Sequence, residues 1–180
     1  QKFGWLGVKK LVHYFKLEDM EPTDDNMRYI KLKYPDMAPY TLSQEWQTQA
    51  QQLLERSSII NGSVEFVDML WLGMRNAKPI YDLGFVDESQ DISNCAYKLV
   101  TRLCKNVVFC GDRNQAINAF AGASEEMYDR IKDKADAVLP LKMTLRNPPF
   151  ICELGNALRP FGIIKGPNQG PGEHQSVEYN

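Results

Sequence analysis

Two short segments hold the residues best suited to chemistry. Residues 85–91 read FVDESQD, and residues 107–123 read VVFCGDRNQAINAFAGA. Each predicts a buried strand that runs into a polar loop bearing carboxylates, and the second loop adds Gln115 and Phe120. Carboxylates on adjacent rigid strand ends suit a nucleotide-bound metal, because Mg²⁺ takes hard oxygen donors and a neighbouring carboxylate can serve as the base for water. In open α/β sheets the ligand crevice lies at the carboxyl ends of the strands, which is where these residues fall.

Within the first loop, Asp87 and Glu88 sit where an apolar strand ends. In P-loop nucleoside triphosphatases the first acid of such a pair holds Mg²⁺ and the second orients or deprotonates the attacking water. An isolated Asp-Glu pair after a strand also suits a solvated loop start or a helix-capping acid. In the second loop, Gly111 is expected to let the chain turn and Asp112 to continue the acidic edge. Gln115 is a neutral amide able to reach a γ-phosphate or the lytic water. Phe120 reads equally as a ring on which a base stacks or as a core aromatic.

The elements that must position these residues follow an alternating pattern. From Pro79 the sequence predicts a strand over 80–86, a helix over 93–104, a strand over 107–110 and a short helix near Gln115. A helix over 125–133, a strand over 138–141 and a helix over 148–158 complete the series. Strand, helix, strand, helix, strand implies parallel pairing with right-handed crossovers. Upstream the reading is mainly helical. Short helices are expected in the first forty residues, with 9–17 the best candidate among Pro22, Pro35 and Pro39. TLSQEWQTQAQQLLERS places Leu42, Trp46, Ala50, Leu53 and Leu54 at helical spacing behind capping hydroxyls, and a second amphipathic helix follows Ser63. The Pro- and Gly-rich GIIKGPNQGPGEH reads as a linker or an exposed loop.

Composition sets bounds. The 180 residues are 43% hydrophobic, enough for a core, with net charge −2 and a pI near 5.8, which excludes a uniformly basic nucleic-acid binder but not a basic groove. Cys95, Cys104, Cys110 and Cys152 form no CxxC pair and read as reduced thiols of an intracellular, cytoplasmic protein. With only His13 and His174, a zinc site is not expected. No apolar run approaches the roughly 20 residues of a bilayer span, so no membrane partner is expected. The first residue is Gln1, consistent with a fragment or a processed product.

VDESQD followed by GDRNQAINAFAGA resembles motifs II and III of the superfamily 1A DNA helicases of the UvrD, Rep and PcrA group, whose usual forms are VDExQD and GDxxQSIYxFRGA. LKMTLRN over 141–147 is similar to the motif IV pattern LxxNYRS, and VEFVDML over 64–70 is similar to the family's DFDDLL. The resemblance covers about 64–158.

It implies an α/β fold containing part of a P-loop NTPase domain: a RecA-like parallel sheet with flanking helices over 63–145, preceded by a mainly helical 1B-like subdomain over 1–62. Residues 146–180 would hold the motif IV helix and the start of a second RecA-like domain. By resemblance, Asp87 and Glu88 hold Mg²⁺ and Glu88 activates water. Gln115 and Arg146 contact the γ-phosphate of ATP, and Gln90 and Asp91 link the metal site to motif III. Phe120 stacks on DNA bases, and Asn118, standing where the family has tyrosine, is a further DNA contact. The implied partner is single-stranded DNA or a junction of single and double strands, with DNA-repair or replication proteins as further partners. Departures are Ala116, Asn118 and Ala121 in motif III and Thr144 and Leu145 in motif IV. No GxxxxGK loop ending in Ser or Thr occurs in the 180 residues. The expectation is therefore an internal piece of an ATP-dependent helicase that is inactive alone; the alternatives are a degenerate helicase-like binding module and a helicase-nuclease fusion of the RecB or AddA kind.

Overall fold

Helix α1 (Lys2–Glu18) organises the amino-terminal half. Val8, Leu11, Val12 and Phe15 recur at positions i, i+3, i+4 and i+7, and all four are buried. The computed structural model describes residues 2–57, 64–115, 125–141, 143–158 and 164–165. They divide into two units, 1–134 and 135–180.

In the first unit, α1 is a single 17-residue helix rather than the short helices expected around 9–17. Its exposed Trp5, Leu6 and Lys9 mask the stripe when the sequence is read residue by residue. Thr23 caps α2 (Asp24–Lys33) by accepting the Asn26 N–H at 3.3 Å, and a 3₁₀ turn follows over Pro35–Met37. Ser43 opens α3 (Gln44–Ser57), its hydroxyl 3.4 Å from the Trp46 N–H. α4 (Phe66–Asn76) starts behind Glu65, whose N–H donates to Asp68 at 3.0 Å in a capping box; Ser63, the expected cap, lies outside the described residues. Met27, Ile30, Met37, Ala50, Leu54, Val67, Trp71 and Met74 close over α1. Each large side chain buried this way contributes roughly 1.5–3 kcal/mol. Gly7 is a glycine inside α1 because the Trp46 and Tyr40 rings pack where its Cβ would stand.

Strands β1 (Tyr81–Val86) and β2 (Cys104–Phe109) pair in parallel, Phe85 opposite Val108 and Val86 opposite Phe109. They are joined by α5 (Asn94–Leu103), whose cap Ser93 accepts the Ala96 N–H at 3.2 Å. α5 covers one sheet face, with Tyr97 stacked on Phe109 at 5.7 Å. The expectation of buried strands is corrected here. Tyr81, Leu83, Phe85 and Val108 share the other face and are exposed, Phe85 by 74%. Parallel sheets are ordinarily covered on both faces; among the described residues only one face of this pair is.

α6 (Glu125–Lys134) buries Met127 and Ile131 in the first unit. In the second unit, β3 (Met143–Thr144) pairs in parallel with β4 (Ile164–Lys165), and α7 (Pro149–Leu158) lies between them in sequence. The strand expected over 138–141 is not formed. Pro140 offers no N–H to a ladder, and Leu139 and Leu141 are exposed. The third strand of the series is thus β3, whose partner is β4.

Candidate nucleotide and metal site

The two acidic loops meet because β1 and β2 are parallel neighbours whose pairing continues beyond the strands. Cys110 N–H donates to Val86 O at 2.7 Å, and Ser89 N–H donates to Cys110 O at 2.9 Å. Asp87 and Glu88 leave β1 with both side chains exposed. Asp87 Oδ1 accepts the Glu88 N–H at 2.9 Å, which orients the first carboxylate over its own loop. Glu88 takes a left-handed backbone, φ 51° and ψ 41°, uncommon for a non-glycine residue. A 3₁₀ turn over Ser89–Asp91 then leads to the Ser93 cap of α5.

Gln90 is 2% exposed and points between the loops. Its Nε2 donates to Glu88 Oε2 at 2.5 Å, and its Oε1 accepts the Asp112 N–H at 3.0 Å. A short 3₁₀ turn, Arg113–Gln115, carries Gln115, whose Nε2 donates to Asp112 Oδ2 at 3.0 Å. Tyr128 Oη donates to Gly111 O at 3.4 Å and Arg113 pairs with Asp129 at 3.2 Å, so α6 braces the second loop. Gly111 is needed for space rather than for an unusual φ, since a Cβ there would lie 2.5 Å from Ser89 Oγ and 2.7 Å from Gln90 Oε1.

A cavity of about 560 Å³ opens beside the first loop. Asp87, Glu88 and Asp91 line one side, and His13 and Leu17 of α1 with Phe66 and Leu70 of α4 line another. Sequence reasoning assigned nothing to His13, which comes from a distant helix and carries no motif. Burial holds its imidazole below the usual range, against the opposing pull of Glu65.

Asp87, Glu88, Gln90 and Gln115 are therefore brought together on two adjacent strand ends. Arg146 lies in the second unit, exposed in a turn where Thr144 Oγ1 accepts its N–H at 3.3 Å. Thr144 also accepts the Asn147 N–H at 3.4 Å, so this departure from the helicase pattern shapes the turn. Phe120 and Asn118 lie outside the described residues. Among the described residues no cluster of three or more His, Cys, Asp or Glu side chains is poised around a metal. Two exposed carboxylates nonetheless suit Mg²⁺, which takes one or two from protein and completes its shell with water and phosphate oxygens.

Fold and site together define an α/β protein with paired acidic loops at the carboxyl ends of parallel strands. The chain belongs to the UvrD/REP helicase family: the profile of the UvrD/REP helicase N-terminal domain matches residues 8–136. It is also similar to the mitochondrial ATP-dependent DNA helicase HMI1 of Saccharomyces cerevisiae, 24% identical over 203 residues. That alignment takes in 96% of this chain and 28% of the yeast protein, so the chain spans a little over a quarter of that relative's length. No solved structure matches.

Proposed function

We propose that this chain supplies the hydrolytic loops of an ATP-dependent DNA helicase that couples Mg-ATP hydrolysis to movement along single-stranded DNA, with 3′ to 5′ polarity carried by family resemblance. The observation that supports it best is the juxtaposition of Asp87, Glu88 and Gln115 on adjacent strand ends, bridged by Gln90. In this reading β1, β2 and α5 belong to a RecA-like sheet. Bound Mg²⁺ would neutralise phosphate charge, with Asp87 and Glu88 its protein ligands. Glu88 accepts the proton of the attacking water, and Gln115 turns its amide from Asp112 to the γ-phosphate. By family resemblance Arg146 is a γ-phosphate contact, where a cation offsets developing charge. By family resemblance Phe120 and Asn118 are DNA contacts, and the grip on the β- and γ-phosphates falls to a phosphate loop outside these 180 residues. An intracellular location accords with four cysteines that form no disulfide.

The test is ATP turnover with and without single-stranded DNA, in a protein extended to include a phosphate loop. Glu88→Gln should lower kcat by about 100-fold or more and change the KM for ATP little. Turnover that survives the substitution would remove Glu88 from the chemistry. DNA binding with no hydrolysis by the unsubstituted protein would favour a helicase-like binding module.

A further inference from the structure

The ends of β1 and β2 opposite the acidic loops carry the reverse charge. α4 and α5 finish there and the two strands begin there, held together where the Ile80 N–H donates to Leu103 O at 2.9 Å and Arg102 Nη1 donates to Met74 O at 2.7 Å. Residues 71–83 and 99–108 supply Arg75, Lys78, Arg102 and Lys105 against one acid, Asp82, and all four cations are exposed. At the other end, residues 86–91 and 110–115 supply Asp87, Glu88, Asp91 and Asp112 against one cation, Arg113. The net charge of −2 therefore conceals two poles of opposite sign on one strand pair. Each strand is six residues long, so the poles stand roughly 20 Å apart, more than twice the screening length of about 8 Å at physiological salt. The acidic loops do not repel a polyanion at the basic end.

Helix chemistry accounts for part of this pole. Arg75 and Arg102 lie in the last turns of α4 and α5, where a cation offsets the helix dipole, and Arg75 also stacks over the Trp71 ring at 4.7 Å. Lys78 and Lys105 lie beyond the helix ends. Lys105 meets Asp82 at 2.7 Å, but both side chains are largely exposed and such a pair contributes little, so a phosphate can replace the carboxylate. Tyr81 pairs with Cys104 across the ladder, which sets an exposed ring beside Lys105. Cations around an exposed ring suit a single strand, whose phosphates and unpaired bases bind together; a lipid headgroup offers no base to stack.

We propose that the amino ends of β1 and β2 form a docking surface for single-stranded nucleic acid, in which Lys78 and Lys105 contact backbone phosphates and Tyr81 stacks on a base. The surface uses none of the nucleotide-loop residues and neither Phe120 nor Asn118. It shares with the proposed function only the class of partner.

The test is fluorescence anisotropy of a labelled oligothymidylate of roughly 20 nucleotides, a length that exceeds the site size of a single ssDNA-binding fold, with the 180-residue chain over a series of salt concentrations and without ATP or Mg²⁺. Lys78→Gln combined with Lys105→Gln should weaken binding about tenfold at low salt and flatten the slope of log affinity against log salt by about 1.4, since each phosphate contact to a single strand contributes roughly 0.7. Tyr81→Ala should weaken binding about fivefold or more and leave the slope unchanged. Arg102 stays in place because it holds Met74 O, and Lys9→Gln, exposed on α1, should change neither quantity. No binding by the unsubstituted chain, or an unaltered slope in the double lysine variant, overturns the proposal. Affinity lost through Phe120→Ala but not through the lysine or Tyr81 substitutions also overturns it, and leaves the DNA contact of the family standing. If Tyr81→Ala has no effect and the lysine variant equally loses phosphatidylserine vesicles in sedimentation, the surface is a general anion patch and the proposal fails. Glu88→Gln should leave oligonucleotide binding unchanged, so failure of the hydrolytic reading does not imitate failure of this one.

Discussion

Gly111 and Gln90 stand so close that a methyl group on the glycine would lie 2.7 Å from Gln90 Oε1. The same methyl would lie 2.5 Å from Ser89 Oγ and 3.0 Å from Ser89 N, so backbone as well as side chain resists it. Gly111→Ala is predicted to cost about 1–3 kcal/mol through overpacking, read from urea unfolding. It should also raise the exchange rate of the Asp112 N–H. An unchanged unfolding midpoint would mean that the loops separate more easily than their contacts imply.

Glu88 combines a strained backbone with an exposed carboxylate at the end of β1. With φ at 51°, Glu88→Gly relieves a conformation that side chains disfavour, worth about 1 kcal/mol, but removes the acceptor of the buried Gln90 amide, worth about 1.5–3 kcal/mol. The variant is therefore predicted to be less stable by about 1 kcal/mol in thermal unfolding at neutral pH. A more stable glycine variant would show that the strain outweighs the hydrogen bond to Gln90.

Lys16 of α1 forms an ion pair with Asp68 of α4 and donates to Ser57 at 2.9 Å, with the Lys16 side chain only 6% exposed. Lys16→Met leaves a partly buried carboxylate without its counter-charge and is predicted to cost about 3–5 kcal/mol. Adding Asp68→Leu should recover only part, because Asp68 also accepts the Glu65 N–H at the start of α4. Denaturant unfolding of the single and double variants tests this, and full recovery would show that the cap contributes nothing.

His13 makes stability depend on pH in a defined direction. Its ring stands in the cavity wall, and burial lowers its pKa below 6.5 against the opposing charges of Glu65, Asp68 and Asp36, with Lys16 adding to the lowering. In that window the unfolded chain binds a proton that the folded chain does not, so stability falls as pH drops from about 7 towards 5. His13→Gln should flatten this part of the profile relative to wild type. Parallel profiles for the two proteins would show that His13 gains a proton as readily folded as unfolded.

Much of the secondary structure and the chemical character of the loops were legible locally. Ser93 before Asn94 is a cap in sequence and in structure, and FVDESQD is both an apolar strand and an acidic loop because the chain switches from β-forming residues to oxygen donors within two positions. Helical spacing likewise marked α3, α4, α5 and α7 to within a few residues.

What only the tertiary structure decided depends on partners distant in sequence. Neither the left-handed Glu88 nor the space requirement at Gly111 has a local signal, since each exists to let one buried glutamine satisfy two loops. The length of α1 follows from burial beneath α2, α3 and α4, and the place of His13 in the wall of the cavity that Asp87 also lines follows from packing across more than seventy residues. The failure of 138–141 to form a strand reflects Pro140 outweighing an apolar pattern. Residue type determined which groups can do chemistry here; long-range hydrogen bonds and packing determined which of them meet, because those energies depend on contacts the local sequence does not contain.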